Sequence, residues 1–495
     1  METMNCHHND EHPVVLALSF AKGAHPMCPA YRKVNVLSLL LLLAISSPTS
    51  TVIAQALTFA SYTYAVGNSD CGPNVVAVAD FNGDSKLDVI IPKYGFRWAD
   101  PGTPTGWGNS CTVLTNGSGS GFAISGTLST GRGPCWTTAA DVNGDGHADV
   151  ICANQTDNTL TVLTNSGSGG FTGGGTLPVG VGPACVTAAD LNSDGKLDLV
   201  SANGNANTLT AWFNDGAGGF TSNATFTVGN GACGVAATDV NRDGFMDLIS
   251  ANRNDNTLTV LSNNGDGTFG AAATLAVGSK PFNVRASDVN GDGYPDLISV
   301  NWGANTMTVW VNNGSGGFGS VTTYAVGSYP STVAVGDFNG DGSADLICAN
   351  TGPNPGTLTV YTNNGSGSFV HNTTLTVGGY IPNVVAGDVN GDGKLDLICP
   401  NFYDGTVSVM LNTSAFPEPT LTPALTISCQ GIGVRVAWPS HAPGWSLQET
   451  SDLMTQEWTP SGYCGYDITD DGTSKSLTTP LPTSVNRQFF RLIHP

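Results

Sequence analysis

Between residues 57 and 415 the chain contains no glutamate, and only 11% of the whole sequence is charged. The same span holds two histidines, His147 and His371. Outside one recurring motif its aspartates are Asp70, Asp100, Asp157, Asp215, Asp255, Asp266 and Asp404. Glycoside hydrolysis by the common route needs two opposed carboxylates, and nothing singles out a pair among these. GxSxG, HExxH and the phosphate-binding P-loop are missing as well. Enzymatic chemistry therefore finds little support, and a carbohydrate-active lyase or hydrolase is the alternative rather than the main reading. Basic residues are also scarce: 17 Lys plus Arg stand against 38 Asp plus Glu, a net charge of −21. That balance argues against a nucleic-acid partner.

What is present is a repeat. "DVNGDGKLD" begins at Asp388, and the same nine-residue pattern begins at Asp80, Asp141, Asp190, Asp239, Asp288 and Asp337, at intervals of 61, 49, 49, 49, 49 and 51. A fixed period near 50 marks a repeat architecture. The pattern starts like an EF-hand loop, but position 12 of the last copy is Cys399 rather than a bidentate Glu, and the flanks carry no helical period. Strands flank the loop instead. Asp at positions 1, 5 and 9 of all copies contributes 21 carboxylates, the size of the net charge.

Each unit divides into four short strands. In residues 182–230 these are "CVTAA", "LDLVSA", "TLTAWF" and "FTSNATFTV", here strands A to D, with the Asp loop between A and B. Four antiparallel strands per unit make a propeller blade. The last unit stops after strand C, while "LTFASYTYAVGN" near the start aligns with a strand D. Phe59 to Val66 is thus expected to complete the seventh blade beside Val407–Asn412, which leaves no open edge. The fold class is all-β, a seven-bladed β-propeller over residues 57–415.

These motifs resemble the FG-GAP and VCBS repeats of integrin α-subunit propellers and of secreted bacterial proteins. The resemblance implies calcium in the A–B loops, up to seven ions with a structural role. The ligands would be Asp80, Asn82, Asp84 and Asp88; Asp141, Asn143, Asp145 and Asp149; Asp190, Asn192, Asp194 and Asp198; Asp239, Asn241, Asp243 and Asp247; Asp288, Asn290, Asp292 and Asp296; Asp337, Asn339, Asp341 and Asp345; and Asp388, Asn390, Asp392 and Asp396. The residues agree. Positions 1, 3, 5 and 9 supply side-chain oxygen, and variable position 7 can offer its carbonyl. Positions 2 and 10 are apolar in every copy. Position 6 is Gly in six copies, where positive φ is expected, and Ser85 in the first.

The resemblance also places the ligand face opposite the calcium loops, where the D–A and B–C connections lie. Blade 1 carries there the insertion "PKYGFRWADPGTPTGWGNS" with Tyr94, Trp98 and Trp107, and other B–C loops add Trp302, Phe402 and Tyr403. These six are the candidate contacts for a glycan or protein ligand; packing between blades is their other reading. The expected protein is a monomeric, calcium-stabilised binding or adhesion module.

The remaining features concern the ends and the cysteines. Arg32 and Lys33 precede the apolar run Val36 to Ile45, ten residues that fit a secretion signal and are too few for a membrane span. Cleavage after Ala54 or Ala56 would leave a secreted or surface-held chain. Start sites at Met1 and Met27 both stay open. Cys152, Cys348 and Cys399 share position 12 with Ser201, Ser250 and Ser299, the pattern of a small buried strand site. A Cys71–Cys111 bridge across the insertion and a Cys429–Cys464 bridge are candidate pairings in an oxidising compartment. Residues 416–421 read as a linker and 422–495 as a small β-sandwich-like domain.

Overall fold

The computed structural model describes residues 57–416 apart from 67–71, 96–106, 118–120 and 353, and strand segments at 16–18 and between 426 and 493. The leader with Arg32, Lys33 and the Val36–Ile45 run, and the cleavage sites at Ala54 and Ala56, lie outside the described residues.

Residues 57–416 form seven four-stranded antiparallel sheets. Blade 3 shows the pattern: strand A is Pro183–Ala189, B is Asp198–Asn203, C is Thr208–Asn214 and D is Phe220–Thr227. Strand B is buried along its whole length in blades 2 to 7. Apolar residues of B and C pack against strand A of the next blade, as Ile249, Leu258 and Val260 do with Val284. Each such side chain contributes about 1.5–3 kcal/mol on full burial. The blades are thus held sideways, by their neighbours, as a repeat with no independent core requires.

Closure follows the alignment. Val385–Gly387, Asp396–Asn401 and Thr406–Asn412 supply strands A to C of blade 7, and Phe59–Ala65 supplies its outer strand. The register runs from Phe59 opposite Asn412 to Ala65 opposite Thr406. Beyond it, Thr413 N–H donates to the Thr58 carbonyl at 2.9 Å.

The chain divides into two compact units, one being Ala54–Phe416. In the other, strands Thr426–Gln430, Gly433–Pro439, Ser474–Pro480 and Ile468–Asp470 share one sheet. Leu16–Leu18, Gln488–Ile493, Ser446–Thr450 and Thr459–Pro460 share another. Cys464 lies outside the described residues.

The cysteines of the propeller differ from expectation in one respect. Cys152, Cys348 and Cys399 are fully buried on strand B, as small core residues. Cys111, expected to bridge to Cys71, is free and fully buried instead, its Sγ 3.3 Å from that of Cys152 in the next blade. It faces the joint between blades rather than the surface, because strand C packs on both sides. Cys71 lies outside the described residues.

Candidate functional site

The Asp loops sit at one end of every blade. In blade 5, Asp288 at position 1 accepts N–H bonds from Gly291 and Gly293, both at 2.7 Å. Asn290 Oδ1 accepts from Asp292 N–H at 2.9 Å, and Asp292 Oδ1 accepts from Tyr294 N–H at 2.8 Å. Position 6 has positive φ in all seven copies, including Ser85 at 65°, and position 4 does as well, from Gly83 to Gly391 with Ser193 and Arg242 among them. An L side chain there is strained, so the loop is wound tightly enough to hold residues that disfavour its shape.

Position 9 behaves differently. Asp88, Asp149, Asp198, Asp247, Asp296, Asp345 and Asp396 are fully buried. In blade 3, Asp198 Oδ2 accepts the Leu191 N–H at 3.0 Å and Oδ1 accepts the Asn214 N–H at 2.8 Å. Asn214 in turn donates Nδ2–H to the Val142 carbonyl of blade 2, at 2.7 Å. Val142 donates its own N–H to Asp149. The same links recur at Asn116, Asn165, Asn263, Asn312, Asn363 and Asn412. Asp, position 2 and the next blade's Asn therefore form a closed hoop of hydrogen bonds around the ring. Burial pushes these carboxyls up, Asp345 to about 7; their N–H donors pull them back down, and the loop aspartates beside them push up again.

The donor set of each loop is all oxygen, the chemistry of a hard divalent cation. Among the described residues no three carboxylates converge as a metal cluster. The carboxylates at positions 1 and 5 accept the loop's own N–H groups and keep lone pairs that could serve a hard cation.

On the opposite face, the D–A and B–C connections surround a cavity of about 640 Å³ lined by all seven blades. Tyr94, Trp302, Phe402 and Tyr403 line it. Trp107 does not; it is 40% exposed and meets Tyr94 edge-on at 5.4 Å. Trp98 lies outside the described residues. Phe402 is a correction to the exposed cluster: it is 8% exposed and fills the space a Cβ on Gly72 would need. The base of the insertion is structural too, since a Cβ on Gly108 would come within 1.7 Å of the Lys93 carbonyl oxygen.

Reading single loops for aromatics missed most of the wall. Position 15 of the repeat, at or just after the end of strand B, is Tyr94, Gln155, Gly204, Arg253, Trp302, Thr351 and Phe402 in turn, and every one lines the cavity. The residue six before each motif is Asn74, Cys135, Ala184, Cys233, Phe282, Ser331 and Pro382, again all on the wall. Comparing the repeats column by column exposes both rings. Arg253 lies over the Trp302 ring at 5.0 Å and the Phe282 ring at 5.7 Å, and Tyr329 stacks on Trp302 at 4.8 Å. The Tyr94 hydroxyl donates to Gln155 Oε1. Burial pushes the Tyr94 phenol up to about 12 and the Tyr380 phenol upward as well, so both stay protonated donors at neutral pH.

This architecture defines a seven-bladed β-propeller with a repeated acidic loop on one face and a non-repeating bowl on the other. The FG-GAP-like repeat family matches residues 141–201, 190–250, 239–299, 288–348 and 337–399, and the chain belongs to that family. None of the curated proteins compared with the chain matches it. Among solved structures, BBS1N in complex with ARL6DN is similar at a TM-score of 0.52 and 11% identity, over 74% of this chain and 99% of that one. A lectin from Agrocybe aegerita, described as recognising non-reducing terminal N-acetylglucosamine, is similar at 0.42 and 20%, over 70% of this chain and 86% of that one.

Proposed function

We propose that the protein is a secreted, calcium-stabilised binding module whose axial bowl takes a glycan. One observation carries this reading: at position 15 the repeat presents six different side chains and one glycine, all to one cavity. Variation at one repeat position matters here because the ring brings all seven copies to the same cavity. The chemistry of the wall fits sugars. Trp302 and Tyr403 bring aromatic rings to the wall, and Gln155, Asn205 and Asn254 offer amides that both donate and accept. Arg253, the charged residue on the wall, lies against rings rather than a carboxylate. Calcium in the Asp loops rests on their oxygen donors and repeated charge, and secretion rests on the Val36–Ile45 run.

A glycan array and a pull-down from native surface material, each run with and without calcium, test the reading. Glycan binding that Trp302→Ala abolishes without changing the melting temperature supports it. Capture of a protein that deglycosylation does not affect would replace the glycan with a protein ligand, and binding unchanged in Trp302→Ala would move the site away from the bowl.

A further inference from the structure

Below the bowl, the inner strands line a second, partly open cavity of about 210 Å³. Its wall is made mostly of Val, Ala and Thr, with Trp136, Cys185 and Asn383, and it carries one charged side chain. The residue three before each Asp motif is Ala77, Thr138, Thr187, Ala236, Ala334 and Val385 in six blades, and Arg285 in blade 5. Arg285 is half-buried and lines this cavity. It makes no ion pair or side-chain hydrogen bond among the described residues, and no carboxylate lines the cavity. The titratable group acting on it is the Cys185 thiol, itself pushed up to about 11 by burial and so uncharged.

A second group on the same wall is also without a partner. Asn383 is fully buried and lines the cavity. Its Oδ1 accepts the Val76 N–H at 3.3 Å, while its Nδ2 has no partner. A guanidinium remains charged even when burial disfavours it, and a half-buried charge gains from a partner of opposite sign. An unpaired Arg in a wall of Ala, Thr and Val has the makings of half an ion pair.

We propose that this cavity is a binding site for a small carboxylate anion, held by the Arg285 fork. The planar guanidinium pairs a carboxylate through two parallel N–H bonds, and Thr138 and Thr187 on the wall supply hydroxyls. The site is independent of the bowl's ligand. Ala occupies the equivalent position in three other blades, so Arg285→Ala is compatible with the fold.

The test uses the full chain with calcium present and no bowl ligand. Melting is followed in sodium acetate and in sodium bromide at fixed ionic strength, for the unmodified protein, Arg285→Ala and Arg285→Lys. Acetate is expected to raise the melting temperature of the unmodified protein saturably, by about 2 °C. Arg285→Ala is expected to lose the rise, and Arg285→Lys to lose most of it. The line width of ¹³C-acetate, broadened by the unmodified protein and by neither variant, gives a readout that does not depend on melting. An equal acetate response in Arg285→Ala, or no acetate response in the unmodified protein, overturns the site. A bromide response as large as that of acetate overturns the assignment to carboxylates.

Discussion

The two faces of the propeller are built from the same repeat and obey opposite rules. On the loop face, a nine-residue motif recurs seven times with the same three aspartates and buried anchors. On the bowl face, position 15 changes in every blade. Repetition marks what each blade needs in order to stand beside the next; divergence marks what the ring as a whole presents. The Asp motif, the most conspicuous feature of the sequence, is thus the less informative one about ligand.

This contrast can be broken in several ways. The largest effect is expected from chelation: each calcium bound only to the native state adds about 2.7 kcal/mol at a hundredfold excess over its Kd. Excess chelator should therefore lower the melting temperature strongly, whereas Asp292→Ala should weaken one blade only. An unchanged melting curve in chelator would rule out a stabilising role. Next comes Asp198→Ala, which leaves the Leu191 and Asn214 N–H groups unpaired in a buried place. Denaturant titration in chelator should show a loss of about 2–4 kcal/mol. Asp194→Ala, at the exposed position 5, should cost far less under the same conditions. Asn214→Ala removes the tie to the Val142 carbonyl and should cost about 1–2 kcal/mol in the same titration. Smallest in stability is removal of Phe96–Gly106, which keeps Tyr94 and Gly108 at the hairpin base. Calorimetry should show melting unchanged and array binding lost; normal binding would take the insertion out of the site.

The propeller was legible because its signals are periodic. The Asp loops, the strand order and the closing strand all follow from aligning the chain with itself. The bowl was half legible: aromatic content pointed to Trp302 and Tyr403, while Gln155 and Arg253 emerge only when repeat columns are compared. The pairing proposed for Cys111 failed because loop proximity on one face says nothing about where a strand residue points. The hoop could not be read at all. Asn at the end of strand C looks like a turn former, and its bond to the neighbouring blade exists only once the ring has closed.

The seam in blade 7 has a mechanical consequence. Its two strands run antiparallel, with Phe59 opposite Asn412, so the chain enters and leaves the ring at the same corner. A load applied between the two ends would open that pair one rung at a time, starting from Thr58 and Thr413, instead of shearing all rungs together. Tension reaching the ring through both ends meets its weakest direction. A load carried from one end to something held in the bowl bypasses the seam pair's unzipping direction and is spread over the ring.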